Sequence, residues 1–132
     1  MKWLLDTCTV SDYFRRRGAV AAALHAVAPH ELAISTVTEF EMRFGLARQP
    51  RLAPSLGRQV NAFLQVVRVL PFDREDAAAS GLIRATLERA GRPIAPLDAL
   101  IAGVAVAKGL TLVTSNEDEF SRVPGLAVEN WR

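Results

Sequence analysis

The sequence predicts an α/β fold built on a central, mainly parallel sheet of four to five strands, and three observations lead there. Short apolar runs of strand length alternate with segments of helical periodicity along the chain. Several of those runs lead directly into acids or hydroxyls, as strands of an open parallel sheet do where they reach a ligand-binding edge. With 132 residues, half of them hydrophobic, the chain can bury a core as one domain spanning residues 1–132.

Trp3-Leu4-Leu5 reads as the first strand, ending on Asp6 and Thr7, and Cys8 to Phe14 reads as the start of a helix. Gly18 separates the basic run Arg15-Arg16-Arg17 from an Ala-rich helix, Ala19 to Ala28, which Pro29 ends. Leu32 to Ser35 is a second strand running into Thr36 and Thr38. The next helix begins near Val37, and Val37, Phe40, Phe44 and Ala47 recur at the spacing that buries one face. Arg48 to Pro54 is a loop, Leu56 to Val67 an amphipathic helix, and Val67 to Phe72 a strand. Asp73 is placed to cap a long helix with Asp76 in its first turn, and Gly91 stops it near Ala90. After a loop bracketed by Pro93 and Pro96, Leu97 to Ala107 is a very apolar helix closed by Lys108-Gly109. Leu110 to Thr114 is a strand followed at once by Ser115-Asn116-Glu117-Asp118-Glu119, and Leu126 to Val128 is an edge strand.

Composition narrows the function classes. No apolar run approaches the roughly 20 residues needed to span a bilayer, and Asp6 interrupts the N-terminal apolar stretch, unlike a signal peptide. The expectation is a soluble, cytoplasmic protein without a membrane partner. A single cysteine excludes an internal disulfide framework and a thiolate-rich zinc site. Of the 16 basic residues, 14 are Arg, which suits bidentate phosphate contact, although genome base composition produces the same bias. A net charge of +2 is too small to imply non-specific nucleic-acid binding by electrostatics alone.

Four places bring polar or acidic groups to one edge of the sheet: Asp6, the stretch from Thr36 to Glu41, Asp98, and Asn116 with Glu119. Each has a structural alternative. Asp6 can cap a helix, Glu41 can complete a capping box with Thr38, Asp98 can serve a helix dipole, and Asn116 can form an Asx-turn. Asp98 resists that reading most, being the only charged residue between Arg92 and Lys108 on an otherwise apolar helix. Two carboxylates about 4 Å apart repel by roughly 4 kcal/mol at an effective dielectric of 20, so a cluster of three needs a divalent ion. Hard oxygen donors select Mg²⁺ or Mn²⁺ over zinc. Glu39 and Glu41 compete for one place, since residues two apart on a helix cannot share a face. Glu41 lies nearer the Val37/Phe40/Phe44 stripe, while Thr36 offers Glu39 a capping partner.

These stretches resemble the PIN domain, and within it the toxin component of VapBC toxin–antitoxin modules. The resemblance rests on Leu4-Leu5-Asp6-Thr7, on Ile34-Ser35-Thr36-Val37-Thr38 through Glu41-Met42-Arg43-Phe44-Gly45, on Asp98-Ala99-Leu100-Ile101-Ala102, and on Leu112-Val113-Thr114-Ser115-Asn116 through Phe120. It covers essentially the whole chain and implies a three-layer α/β/α sandwich. It also implies a metal-dependent endoribonuclease in which Asp6, Glu41 and Asp98 are the three invariant acids holding one or two Mg²⁺ or Mn²⁺ ions, and it decides between Glu39 and Glu41 in favour of Glu41. Where family members often carry Asp, this chain has Asn116, which can ligate through its carbonyl or hold a water, and Glu119 is the nearby candidate acid. Thr7, Thr114 and Ser115 are placed to orient acids or waters. In-line attack on a phosphodiester, leaving 5′-phosphate and 3′-hydroxyl ends, is the implied reaction. Arg43, Arg15, Arg16 and Arg17 are candidates for the substrate phosphates, and a solvated surface explains the triple-Arg run equally well. A homodimer and a cognate VapB-type antitoxin that blocks the acidic cleft are implied as well. Met42 and Leu46 fit an interface or core packing alike.

Three other readings compete. A haloacid-dehalogenase-type phosphatase motif at Asp6 to Val10 lacks its second Asp, where Cys8 stands. A cysteine phosphatase fails because Phe14 occupies the required Arg position. A non-catalytic PIN domain that binds RNA or a protein partner is the alternative from another class, motivated by Asn116.

Overall fold

Strand β1 (Trp3–Leu5) is the middle of a five-stranded sheet in the computed structural model, which describes residues 1–51 and 53–132. β2 (Leu32–Ser35) and β3 (Arg68–Leu70) extend the sheet on one side, and β4 (Thr111–Val113) and β5 (Val128–Glu129) on the other. All four pairings are parallel, with Leu4 opposite both Ala33 and Leu112. The order β3-β2-β1-β4-β5 reverses direction at β1. At such a switch point the connections leaving neighbouring strands diverge, so a crevice opens beyond the carboxyl ends of β1 and β4.

Successive strand side chains point to opposite faces. Leu4, Ala33 and Leu112 face one core with Ile83 and Leu87 of α5 (Arg74–Arg89) and Ile101 and Val104 of α6 (Pro96–Lys108). Leu5, Ile34 and Val113 face a second with Val10 of α1 (Thr7–Phe14), Leu24 of α2 (Val20–His25) and Phe63 of α4 (Ala53–Val66). The sheet therefore lies between two helical layers, as predicted. Among the described residues, no helix is long and apolar enough to cross a membrane.

Helix boundaries follow from local chemistry. Asp73 caps α5 as expected, and Asp76 completes a capping box with it, each carboxylate accepting the other's backbone N–H at 3.0 Å. Gly91 and Gly109, at φ 69° and 67°, take the left-handed conformation that stops α5 and α6. The two helices pack closely because Gly103 has no side chain where Ser80 approaches: a Cβ there would stand 1.8 Å from the Ser80 hydroxyl.

Several elements differ from expectation. The Ala-rich helix is confined to Val20–His25, and Pro29 opens a short 3₁₀ turn, Pro29–Glu31. The loop expected over Arg48 to Pro54 is shortened by α4 starting at Ala53, and Leu52 lies outside the described residues. A short helix, α7 (Glu117–Phe120), follows β4. The largest correction concerns α3 (Thr36–Arg48): of the apolar stripe only Val37 is buried, since Phe40 is 57 % and Phe44 53 % exposed and Ala47 is exposed too. α3 instead buries Val37 and Thr38, with Glu41 and Met42 half-buried. Its inward face must supply a hydroxyl and a carboxylate to the crevice, so polarity there does not mark solvent. Met42 packs against the second core, which resolves its alternative toward core packing.

Candidate active site

Asp6 prolongs β1 by donating its backbone N–H to the Val113 carbonyl at 3.1 Å, which fixes it at the crevice. Its carboxylate caps α1, accepting the Thr9 N–H at 2.8 Å, so the capping role is real. The role does not exhaust the group: the Thr114 hydroxyl also bonds the carboxylate, and the side chain is 2 % exposed. Burial pushes the Asp6 pKa up despite those donors.

Glu41 arrives from α3. Its Oε1 accepts the Thr7 hydroxyl at 2.5 Å, and that hydroxyl lies 3.4 Å from the Thr38 Oγ1. The capping box with Thr38 does not form, because α3 begins one turn earlier with Ser35 as its cap, accepting the Thr38 N–H at 3.3 Å. Glu39 does not pair with Thr36 either. It accepts from the Arg43 Nε at 2.7 Å, and the Thr36 hydroxyl accepts the Phe72 N–H.

Asp98 stands in the first turn of α6 without capping it. Burial, then the charge of Glu119 and a hydrogen bond shared with it, and then the charges of Asp6 and Glu41, push its pKa up to about 7. Glu119, on α7, is held by two donors: the Ala95 N–H at 2.7 Å on Oε1 and the Asn116 amide at 2.6 Å on Oε2. Burial works to raise the Glu119 pKa, but those donors and the bond with Asp98 prevail and hold it below the usual range. Asn116 forms no cap on α7, and its backbone N–H goes to the Thr114 Oγ1 at 2.9 Å.

Asp6, Glu41 and Glu119 thus come from separate elements and bring their charges to bear on Asp98. Thr7 bonds Glu41 and Thr114 bonds Asp6, whereas Ser115, half-buried, bonds none of these acids among the described residues. Cys8 is exposed at the surface, and the partial burial of its thiol, followed by the charges of Asp6, Asp98, Asp12 and Glu41, pushes that thiol up to about 11. The arginines are not gathered with the acids. Arg43 is tied to Glu39, and Arg15, Arg16 and Arg17 follow the carboxyl end of α1, a helix length of about 12 Å from Asp6. Sequence reasoning missed Thr38 as a buried hydroxyl of the site; its membership in the Ser35-Thr36-Thr38 hydroxyl group was the available signal. It also missed Asp12, buried on α1 with Arg132 Nε at 3.8 Å, which reads in sequence as an ordinary helix-surface acid.

The donor set is oxygen-only, crowded and short of cations, which suits a hard divalent ion. Among the described residues no three His, Cys, Asp or Glu side chains close into a ready metal cage by themselves. Mg²⁺ keeps several waters and needs only one or two carboxylates, so an open arrangement of this kind fits it. A groove of about 840 Å³ lies away from the acids, between α1, α2 and α4, with Tyr13, Phe14, Leu24, Phe63 and Val66 in its lining.

The family model for the PIN domain matches residues 3–126. The tRNA(fMet)-specific endonuclease VapC of Salmonella typhimurium is 34% identical over 132 residues, covering 99% of this chain and 98% of that protein. The chain belongs to the PIN-domain family, in its VapC group. Solved structures agree: VapBC2 from Rickettsia felis bound to a promoter DNA fragment superposes with a TM-score of 0.91 at 28% identity, covering 100% of both chains. DNA-bound VapBC from Salmonella typhimurium gives 0.90 at 33% identity, covering 100% of this PIN domain and 99% of that chain.

Proposed function

We propose that this PIN domain is the toxin of a type II toxin–antitoxin pair, an endoribonuclease that hydrolyses RNA phosphodiester bonds with Mg²⁺ or Mn²⁺. One observation carries the reading: Asp6, Glu41, Asp98 and Glu119 converge from four elements, and burial together with the charges of the other three holds Asp98 up to about 7. The naming of relatives as a tRNA(fMet)-specific endonuclease and as ribonuclease VapC2 supports RNA as the substrate class. With all four acids present, turnover is favoured over a binding-only role.

Asp6 and Asp98 are the groups we assign to hold the cation, with Glu41 and Glu119 flanking them. Bound there, the ion supplies an acidified water and a Lewis-acid contact for the scissile phosphate. Thr7 fixes one oxygen of Glu41 and leaves the other free to accept from a water. Asp98 would hold the ion as the deprotonated carboxylate. Arg15, Arg16, Arg17 and Arg43 are available to an RNA strand that extends beyond the crevice.

The antitoxin partner is supported by the VapBC complexes this chain resembles and by the aromatic groove between α1, α2 and α4, which suits the apolar face of an inserted segment. The exposed Phe40 and Phe44, one turn apart on α3, support a homodimer. One sheet with strands from both ends of the sequence supports a single domain over residues 1–132, and the lack of a membrane-crossing helix among the described residues fits a cytoplasmic toxin.

Cleavage of a mixed RNA pool by the purified protein tests this reading. Fragments should form with Mg²⁺ or Mn²⁺, cease with EDTA, and return when the ion is restored in excess. Cutting that proceeds undiminished in EDTA would remove the metal from the account.

A further inference from the structure

Hydrogen bonds join Thr114, Asn116 and Glu119 across the crevice, between Asp6 on one side and Asp98 on the other. The Thr114 hydroxyl accepts the Asn116 backbone N–H at 2.9 Å, which leaves its single proton for Asp6. The Asn116 side chain donates to Glu119 Oε2 at 2.6 Å, and the other Glu119 oxygen takes the Ala95 N–H at 2.7 Å. A carboxylate only accepts, so the amide nitrogen of Asn116 is the atom facing it, and the carbonyl is turned away. Just beyond α7, Arg122 donates to the Pro93 carbonyl at 2.9 Å, so the segment leading into α6 is held at two points.

We propose that Asn116 is a positioning residue that steers Glu119 toward Asp98 through its amide donor, and that an acid at position 116 impairs the site rather than completing it. An Asp there would exchange a donor for an acceptor at 2.6 Å from Glu119 and add a charge to four acids that already repel one another. A neutral amide solves both problems, since it binds one carboxylate oxygen and leaves the charge of the cluster unchanged. The inference rests on the metal-nuclease reading above and deepens it: the fourth acidic function belongs to Glu119, with Asn116 acting through it.

Mn²⁺ affinity by calorimetry, alongside kcat and KM for RNA cleavage, decides the matter for the wild type, Asn116→Asp, Asn116→Ala, Glu119→Ala and the Asn116→Ala/Glu119→Ala pair. Asn116→Ala should weaken Mn²⁺ binding by roughly 10- to 100-fold, the range for lost partners of metal ligands, and Asn116→Asp at least as much. In the Glu119→Ala background the loss of Asn116 should add almost nothing, because the two act as one unit. Metal-free melting curves identify any variant that fails to fold, and the cycle is read on the folded ones. Tighter Mn²⁺ binding by Asn116→Asp, or a full additive loss in the double variant, would overturn the proposal while leaving the nuclease reading intact. A wild type that binds no Mn²⁺ would overturn both.

Discussion

Asp98 is where protonation and cation binding meet. Its pKa stands at about 7 against an ordinary 3.8, so between those values the folded, metal-free protein keeps a proton that the unfolded chain has released. The stability contributed by that proton is complete below the ordinary value and is lost as pH rises through about 7. Relative to Asp98→Asn, which cannot titrate, the metal-free wild type should therefore melt at progressively lower temperature from about pH 4 to about pH 7, with Mn²⁺ affinity rising over the same interval. Parallel melting profiles for the two proteins across that interval would contradict the assignment. Asp6 shows why one residue admits two descriptions: it is a helix cap through its bond from Thr9 and a member of the acid cluster at the same time.

The elements were unequally legible in the sequence. β1, β2 and β4 announce themselves as apolar runs ending in polar groups, and α5 carries its own start and stop signals in Asp73, Asp76 and Gly91. α3 misled because periodicity reports which residues are apolar, not which way the helix faces. Phe40 and Phe44 point outward, while Thr38 and Glu41 occupy the inward face that serves the crevice. Glu41 lies on that inward face with its carboxylate bonded by Thr7, while Glu39 is tied to Arg43, a difference that proximity to the Phe stripe does not explain. α7 is only four residues long, too short to have a period, and its acidic first turn was the remaining clue. The α5–α6 contact yields an element-scale prediction. Gly103→Ala drives a methyl into the Ser80 side chain and to 2.8 Å from its backbone nitrogen, and should destabilise by about 1–3 kcal/mol in urea unfolding. A Gly103→Ala protein as stable as the wild type would mean that the two helices separate freely.

At the scale of the molecule, topology does what no single residue can. Residues 6, 41, 98 and 119 are far apart in sequence, and the reversal of strand order at β1 is what brings the ends of β1 and β4 together with the starts of α3 and α6. The order of motifs along the chain was enough to suggest this arrangement, whereas the hydrogen bonds that tune it, from Thr7 to Glu41 and from Asn116 to Glu119, depend on side-chain placements that spacing does not encode. The central claim, that these acids make a metal-dependent ribonuclease, is tested most directly by comparing RNA cleavage by the wild type and by Asp98→Asn at saturating Mn²⁺. The account predicts that the wild type cuts and that Asp98→Asn, correctly folded, releases none of the same fragments; equal cleavage by the two proteins would contradict it.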